Sequence, residues 1–154
     1  MNIEGVTTIN GSKSGITLAI IAGVHGNEIC GIEAIKQILP TITIKAGRVH
    51  FIYGNPRAIK KNVRQVDMNL NRAFQQDNQL SDDEKRSYER KRALELMPIL
   101  DRCEAILDIH SSATRATTPF VICEPHSFLL LGNYHFLSFL TVGTKYNLGE
   151  QITI

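Results

Sequence analysis

A nearly unbroken apolar run, Ile16-Thr17-Leu18-Ala19-Ile20-Ile21-Ala22, stops at Gly23 and gives way at once to a segment of different period. A half-buried strand alternates apolar and polar side chains. A continuous run instead predicts a central strand covered on both faces, as in a parallel sheet. From Glu28 to Leu39 the apolar positions Ile29, Ile32, Ile35 and Leu39 recur at helical spacing. Asn27 is placed to cap that helix, Glu28 suits its first turn and Pro40 stops it.

The rest of the chain repeats this alternation. A weak strand over Ile3 to Ile9 is followed by a tight polar turn from Gly11 to Gly15. Val49 to Gly54 is a strand signal entered through Gly47 and Arg48, and Asn55-Pro56 ends it. Residues 55 to 80 are polar and weakly periodic, and read as one long loop of the kind that usually carries function. A helix is expected from Asp82 to Leu100, with Leu94, Met97 and Leu100 as its inner stripe and Pro98 kinking or ending it. Glu84 to Arg92 reads as its solvated outer face. Strands follow at Ala105 to Ile109 and Phe120 to Cys123. The tail has apolar stretches at 128–131 and 136–140 without a clean element, and a short strand signal at Gln151 to Ile154.

Strand and helix in alternation define an α/β fold: a mostly parallel or mixed central sheet with helices on both faces. The 154 residues are expected to form a single domain, incomplete at its C-terminus. A net charge of +2 is too small to argue for nucleic acid or membrane as partner. No basic leader is visible, and no apolar run approaches the ~20 residues that a bilayer requires. Cys30, Cys103 and Cys123 are odd in number, widely spaced and set in apolar runs, and read as buried free thiols. These signs suggest a reducing, cytoplasmic setting.

Open α/β sheets bind ligands beyond the carboxyl ends of their strands. His25 lies just past the first apolar run and His110 just past Ala105 to Ile109. With Glu28 they supply two imidazoles and a carboxylate, a common set in catalytic zinc sites. Asp108 faces the same side of its strand as His110 and is placed to orient that ring from outside the coordination sphere. Any single histidine is more often a satisfied core or surface residue, so the trio matters only if the fold assembles it. Between Asn55 and Phe74, Arg64 and Arg72 with Asn69 and Asn71 offer donors suited to a carboxylate. The same stretch also reads as a basic, solvated loop. No G-x-S-x-G elbow, dinucleotide fingerprint or P-loop is present.

Gly23-Val24-His25-Gly26-Asn27-Glu28, Asn55-Pro56-Arg57-Ala58, Arg64, Asn71-Arg72-Ala73-Phe74 and Asp108-Ile109-His110 together resemble the succinylglutamate desuccinylase/aspartoacylase family of the zinc carboxypeptidase-like superfamily. The resemblance runs in order from about residue 16 to 124. It implies one Zn²⁺ per chain on His25, Glu28 and His110. Arg64 would polarise the scissile carbonyl, and Asn71 and Arg72 would hold a substrate carboxylate. The implied activity is hydrolysis of the amide bond of an N-acyl amino acid or related small carboxylate.

The chain departs from the family's pattern at several points. Asn69 stands where many relatives carry aspartate, and Ser111 and Ser112 replace an asparagine and threonine. Too few residues follow His110 to reach the usual place of the family's catalytic glutamate. Glu150 is the candidate for that role despite its different spacing, and Glu124 matches a non-catalytic position. The 154 residues are expected not to include the family's C-terminal β-rich domain. The alternatives are a non-catalytic zinc or carboxylate-binding domain, or a truncated chain completed as a homo-oligomer.

Overall fold

A computed structural model describes residues 3–111, 120–123 and 136–140. Six strands form one mixed sheet: β1 (Val6–Asn10), β2 (Lys13–Ala22), β3 (Ala46–Tyr53), β4 (Ala105–His110), β5 (Phe120–Cys123) and β6 (Phe136–Leu140). Their order is β1-β3-β2-β4-β6-β5. β3, β2, β4 and β6 run parallel, and β1 and β5 pair antiparallel at the two edges. The α/β expectation therefore holds. The apolar stretch left unassigned at 136–140 is β6, while Gln151–Ile154 lies outside the described residues.

β2 is central, as its continuous apolar run predicts. Ala19 and Ile21 face a core formed with Ile52 of β3, Ile106 of β4 and helix-borne Leu70, Ala93, Leu96 and Leu100. Leu18, Ile20 and Ala22 face the other way, toward Ile35, Val49 and Phe51. Helix α1 (Ile29–Ile38) carries Ile35 and covers this second face. Its N-cap is Glu28 rather than Asn27, and Glu28 makes no side-chain cap because its carboxylate is engaged elsewhere.

The segment from Gly11 to Gly15 is not a hairpin turn. β3 lies between β1 and β2, and the chain crosses the start of β3 over Gly11–Ser12, with β2 already begun at Lys13. Gly11 N–H donates to Gly47 O at 2.8 Å. Gly47 has φ +74°, and a Cβ there would lie 2.1 Å from Ile16 O. Only glycine permits both that backbone angle and that approach.

The expected long loop is mostly structured. It contains α2 (Pro56–Lys61), α3 (Leu70–Ala73) and a 3₁₀ turn at Asp77–Gln79. Asn55 caps α2 by accepting from Ala58 N–H at 3.1 Å, with Pro56 in the first turn. That start signal was present in the sequence.

The expected helix over 82–100 is divided at Ser87 into α4 (Asp82–Arg86) and α5 (Tyr88–Leu100). Ser87 has extended backbone and caps α5 by accepting from Arg90 N–H. α5 continues through Pro98 to Leu100. Two expectations fail here. Leu94 is exposed rather than part of the inner stripe, and Glu89, Arg90 and Arg92 are buried rather than solvated. The inner face is Glu89, Arg92, Ala93, Leu96 and Leu100, one helical face at i, i+3, i+4, i+7 and i+11. The charges on it are used to hold loops against the sheet.

Cys103 is a buried free thiol, whereas Cys30 is half-exposed. The Cys103 thiol contacts Ile99 O at 3.3 Å. Burial, helped by the charge of Glu104, pushes its pKa up to about 11. At pH 8 iodoacetamide should therefore modify Cys30 well before Cys103, as peptide mass mapping would show. An unfolded thiol ionises near its ordinary value of 9, so this site's contribution to stability is intact below pH 9. It declines as pH rises toward about 11. Equal labelling of both thiols in the folded protein would contradict this environment.

Candidate metal centre

β2 leads out to β3 on one side, and the chain returns to β4 on the other side of β2. The gap beyond the carboxyl ends of β2 and β4 is thus the switch point of the sheet, where open α/β folds place their ligands. Ala22 pairs with Ile109, so the residues that follow each strand emerge side by side. His110 ends β4, and His25 lies three residues beyond β2.

Glu28 sits between the two imidazoles. Its Oε1 is 2.7 Å from His25 Nδ1, and its Oε2 is 2.9 Å from His110 Nδ1. Ser111 N–H donates to the same Oε2 at 2.9 Å. The two rings lie 5.0 Å apart, centroid to centroid, and are tilted by 53°. One donor atom from each of the three residues lies within 4.8 Å of the others.

His25-Gly26-Asn27-Glu28 can make this turn because Gly26 lacks a side chain. A Cβ at Gly26 would meet the Ala58 carbonyl carbon at 2.1 Å and Ile59 N at 2.3 Å. Gly26 N–H instead donates to Arg64 O at 3.2 Å. The turn is thereby tied to the segment that follows α2.

The far nitrogens of both rings are also engaged. His110 Nε2 is 2.8 Å from Asp108 Oδ2, and His25 Nε2 is 3.2 Å from Asn69 Oδ1. Both His25 nitrogens thus face oxygen acceptors, the Glu28 carboxylate at Nδ1 and the Asn69 amide oxygen at Nε2. Burial alone would lower the pKa of His110, but Asp108 and Glu28 at its two nitrogens outweigh it and raise the value to about 10. Burial alone would raise the Glu28 carboxyl, but donors from His110, His25 and Ser111 outweigh it and hold it at about 2. Glu28 is therefore a carboxylate facing two imidazoles, a donor set suited to a divalent metal such as zinc. Ligand distances of about 2.0–2.2 Å are compatible with donor atoms grouped this closely.

Arg64 approaches the same carboxylate, with Nη1 3.5 Å from Glu28 Oε1, and its side chain is 55% exposed. It thus stands beside the triad and faces solvent. Asn71 and Arg72 lie in α3 just after Asn69 and are exposed. Among the described residues neither of their side chains makes a hydrogen bond. Glu150 and Glu124 lie outside the described residues.

Two parts of this arrangement escaped the sequence reading. Asn69 was expected to serve a substrate carboxylate and to depart from relatives; in the fold it contacts His25 and also caps α3 by accepting from Asn71 N–H at 3.0 Å. The buried charges of α5 were assigned to solvent. Their coincidence with Ala93, Leu96 and Leu100 on one helical face was the signal that could have revealed them.

The model of the succinylglutamate desuccinylase/aspartoacylase catalytic domain matches residues 14–150. Succinylglutamate desuccinylase of Pseudomonas aeruginosa is 40% identical over 73 residues, covering 45% of this chain and 22% of that protein. N-acyl-aromatic-L-amino acid amidohydrolase (carboxylate-forming) of Xenopus tropicalis is 30% identical over 126 residues, covering 76% of this chain and 41% of that protein. The crystal structure of succinylglutamate desuccinylase from Chromobacterium violaceum superposes with a TM-score of 0.65 at 24% identity, over 77% of this chain and 40% of that one. The matched chain thus spans less than half the length of these relatives.

Proposed function

The chain belongs to the succinylglutamate desuccinylase/aspartoacylase catalytic-domain family, and from that premise we propose that it is a zinc-dependent hydrolase of the amide bond in an N-acyl amino acid or related small carboxylate. The observation that carries this reading is the convergence of His25, Glu28 and His110 at the switch point, with Arg64 beside Glu28. The names of the relatives support the substrate class: one is a desuccinylase of an acylated amino acid, and another an amidohydrolase of N-acyl aromatic amino acids.

His25 and His110 through Nδ1, and Glu28 through its carboxylate, would hold one zinc per chain. When bound, zinc supplies positive charge that polarises an acyl carbonyl and eases deprotonation of water. With zinc bound, Asp108 would accept the Nε2 proton of His110 and Asn69 that of His25, leaving Nδ1 of each ring to the metal. The Arg64 guanidinium stands where it can hold negative charge developing on the substrate oxygen. Arg72 and Asn71 would take the substrate carboxylate, the guanidinium as a two-pronged donor. Glu150 is the candidate to carry the proton from water to the leaving amine, which departs as the acyl carbon gains oxygen.

Zinc content of gently purified protein, followed by turnover assays, tests this reading. About one zinc per chain is expected, with metal-dependent release of amine from N-acetylaspartate, N-succinylglutamate or another acyl amino acid of a small panel. Chelation should abolish release and added zinc restore it. Zinc near zero would sink the metal centre. Full zinc with no turnover across the panel would instead identify a carboxylate-binding domain.

A further inference from the structure

We propose that Glu89 is a positioning residue, whose buried carboxylate sets Arg64 and Asn69 against the His25–Glu28–His110 cluster. This deepens the hydrolase reading and rests on it for its catalytic consequence, though not for its geometry.

Glu89 lies in the first turn of α5 and is fully buried. Among the described residues it makes no ion pair, so its charge must be met by neutral donors. Four meet it. Oε1 accepts from Asn55 Nδ2 at 3.0 Å and from Val66 N–H at 2.7 Å. Oε2 accepts from Asp67 N–H at 3.1 Å and Met68 N–H at 3.2 Å. Three successive backbone amides thus converge on one carboxylate, in a stretch with no helix or strand to hold it. Asp67 answers by accepting from Tyr88 N–H at 2.7 Å, a free donor in the first turn of α5. The two side chains form a reciprocal clamp between α5 and residues 66–68.

The clamped residues lie between Arg64 and Asn69. Arg64 reaches Glu28, and its carbonyl holds Gly26 N–H; Asn69 reaches His25. The fourth donor, Asn55, gives its own N–H to Gly23 O at 3.0 Å, at the start of the turn that carries His25. One carboxylate therefore connects both segments that meet at the cluster. A displacement of about 1 Å at such a site can cost on the order of a hundredfold in rate. Glutamine cannot substitute: it has one accepting oxygen, and its NH₂ would face two of the four donors.

The test compares wild type with Glu89→Gln in three measurements. Amide exchange at Val66, Asp67 and Met68 should be slow in wild type and about a hundredfold faster in the variant. Zinc affinity should fall about tenfold as Asn69 loosens from His25. In zinc-loaded protein kcat should fall on the order of a hundredfold, and this loss should largely vanish in an Arg64→Ala background, because Glu89 acts through Arg64. Unchanged exchange at 66–68, or a kcat loss undiminished beside Arg64→Ala, would overturn the proposal. A wild type without turnover would defeat the hydrolase reading, while exchange and zinc affinity still judge Glu89. Should Glu89→Gln not fold, Asp67→Ala opens the clamp from its exposed side. It should speed exchange at 66–68 in the same direction, and unchanged exchange there would count against the clamp.

Discussion

Glu28→Gln is expected to leave a folded protein that no longer retains zinc. The glutamine keeps the size of the side chain and one accepting oxygen. It loses the negative charge that faces His25 Nδ1, His110 Nδ1, Ser111 N–H and Arg64 at 2.7, 2.9, 2.9 and 3.5 Å. Loss of a group that merely supports a metal ligand costs about 10–100-fold in affinity, and loss of a charged ligand should exceed that range. Zinc affinity by competition with a chromophoric chelator should therefore fall by at least about a hundredfold, and turnover should become undetectable at ordinary zinc concentrations. Near-UV circular dichroism should be preserved, since neither core cluster includes Glu28. Wild-type zinc affinity in this variant would remove Glu28 from the ligand set, and with it the centre proposed here.

Arg92→Ala is expected to be the most destabilising of these substitutions, although it touches no part of the zinc cluster. The Arg92 side chain is 1% exposed. Nε donates to Gly54 O at 2.9 Å, and Nη2 to Glu4 O at 2.8 Å and Tyr53 O at 3.0 Å. Alanine would strand two carbonyls at the end of β3 and one just before β1, and leave a cavity on the inner face of α5. A loss on the order of 3–5 kcal/mol should follow in urea unfolding. Arg92→Lys should recover only part of it, because one ammonium cannot reproduce the planar fork. The neighbouring Lys91→Ala, at an exposed position, should stay within about 0.5 kcal/mol of wild type. A change below 1 kcal/mol for Arg92→Ala would restore the solvated-face reading of this charged run.

The contrast between Lys91 and Arg92 shows where sequence reasoning stopped. Both stand in the dense charge run from Glu84 to Arg92, which composition alone assigns to solvent. Whether a charge is buried depends on which backbone groups wait opposite it, and those of Arg92 come from residues 4, 53 and 54. The same holds for Glu89, whose partners come from residues 55 and 66–68. Gly11 to Gly15 failed for a related reason. Its glycines resemble a hairpin turn, but they serve a crossing over Gly47 that depends on strand order.

The central strand, the first helix and the placement of His25 and His110 at strand ends were legible in the chain itself. Each rests on local periodicity, and hydrophobic pattern is a local quantity that side-chain burial must satisfy. That His25, Glu28 and His110 meet, that Asn69 holds the His25 ring, and that a buried glutamate organises the loop beside them were decided by tertiary structure. These contacts join residues as many as 83 positions apart. Only the register of parallel strands and the closing of loops over their ends sets such distances, and no local pattern encodes them.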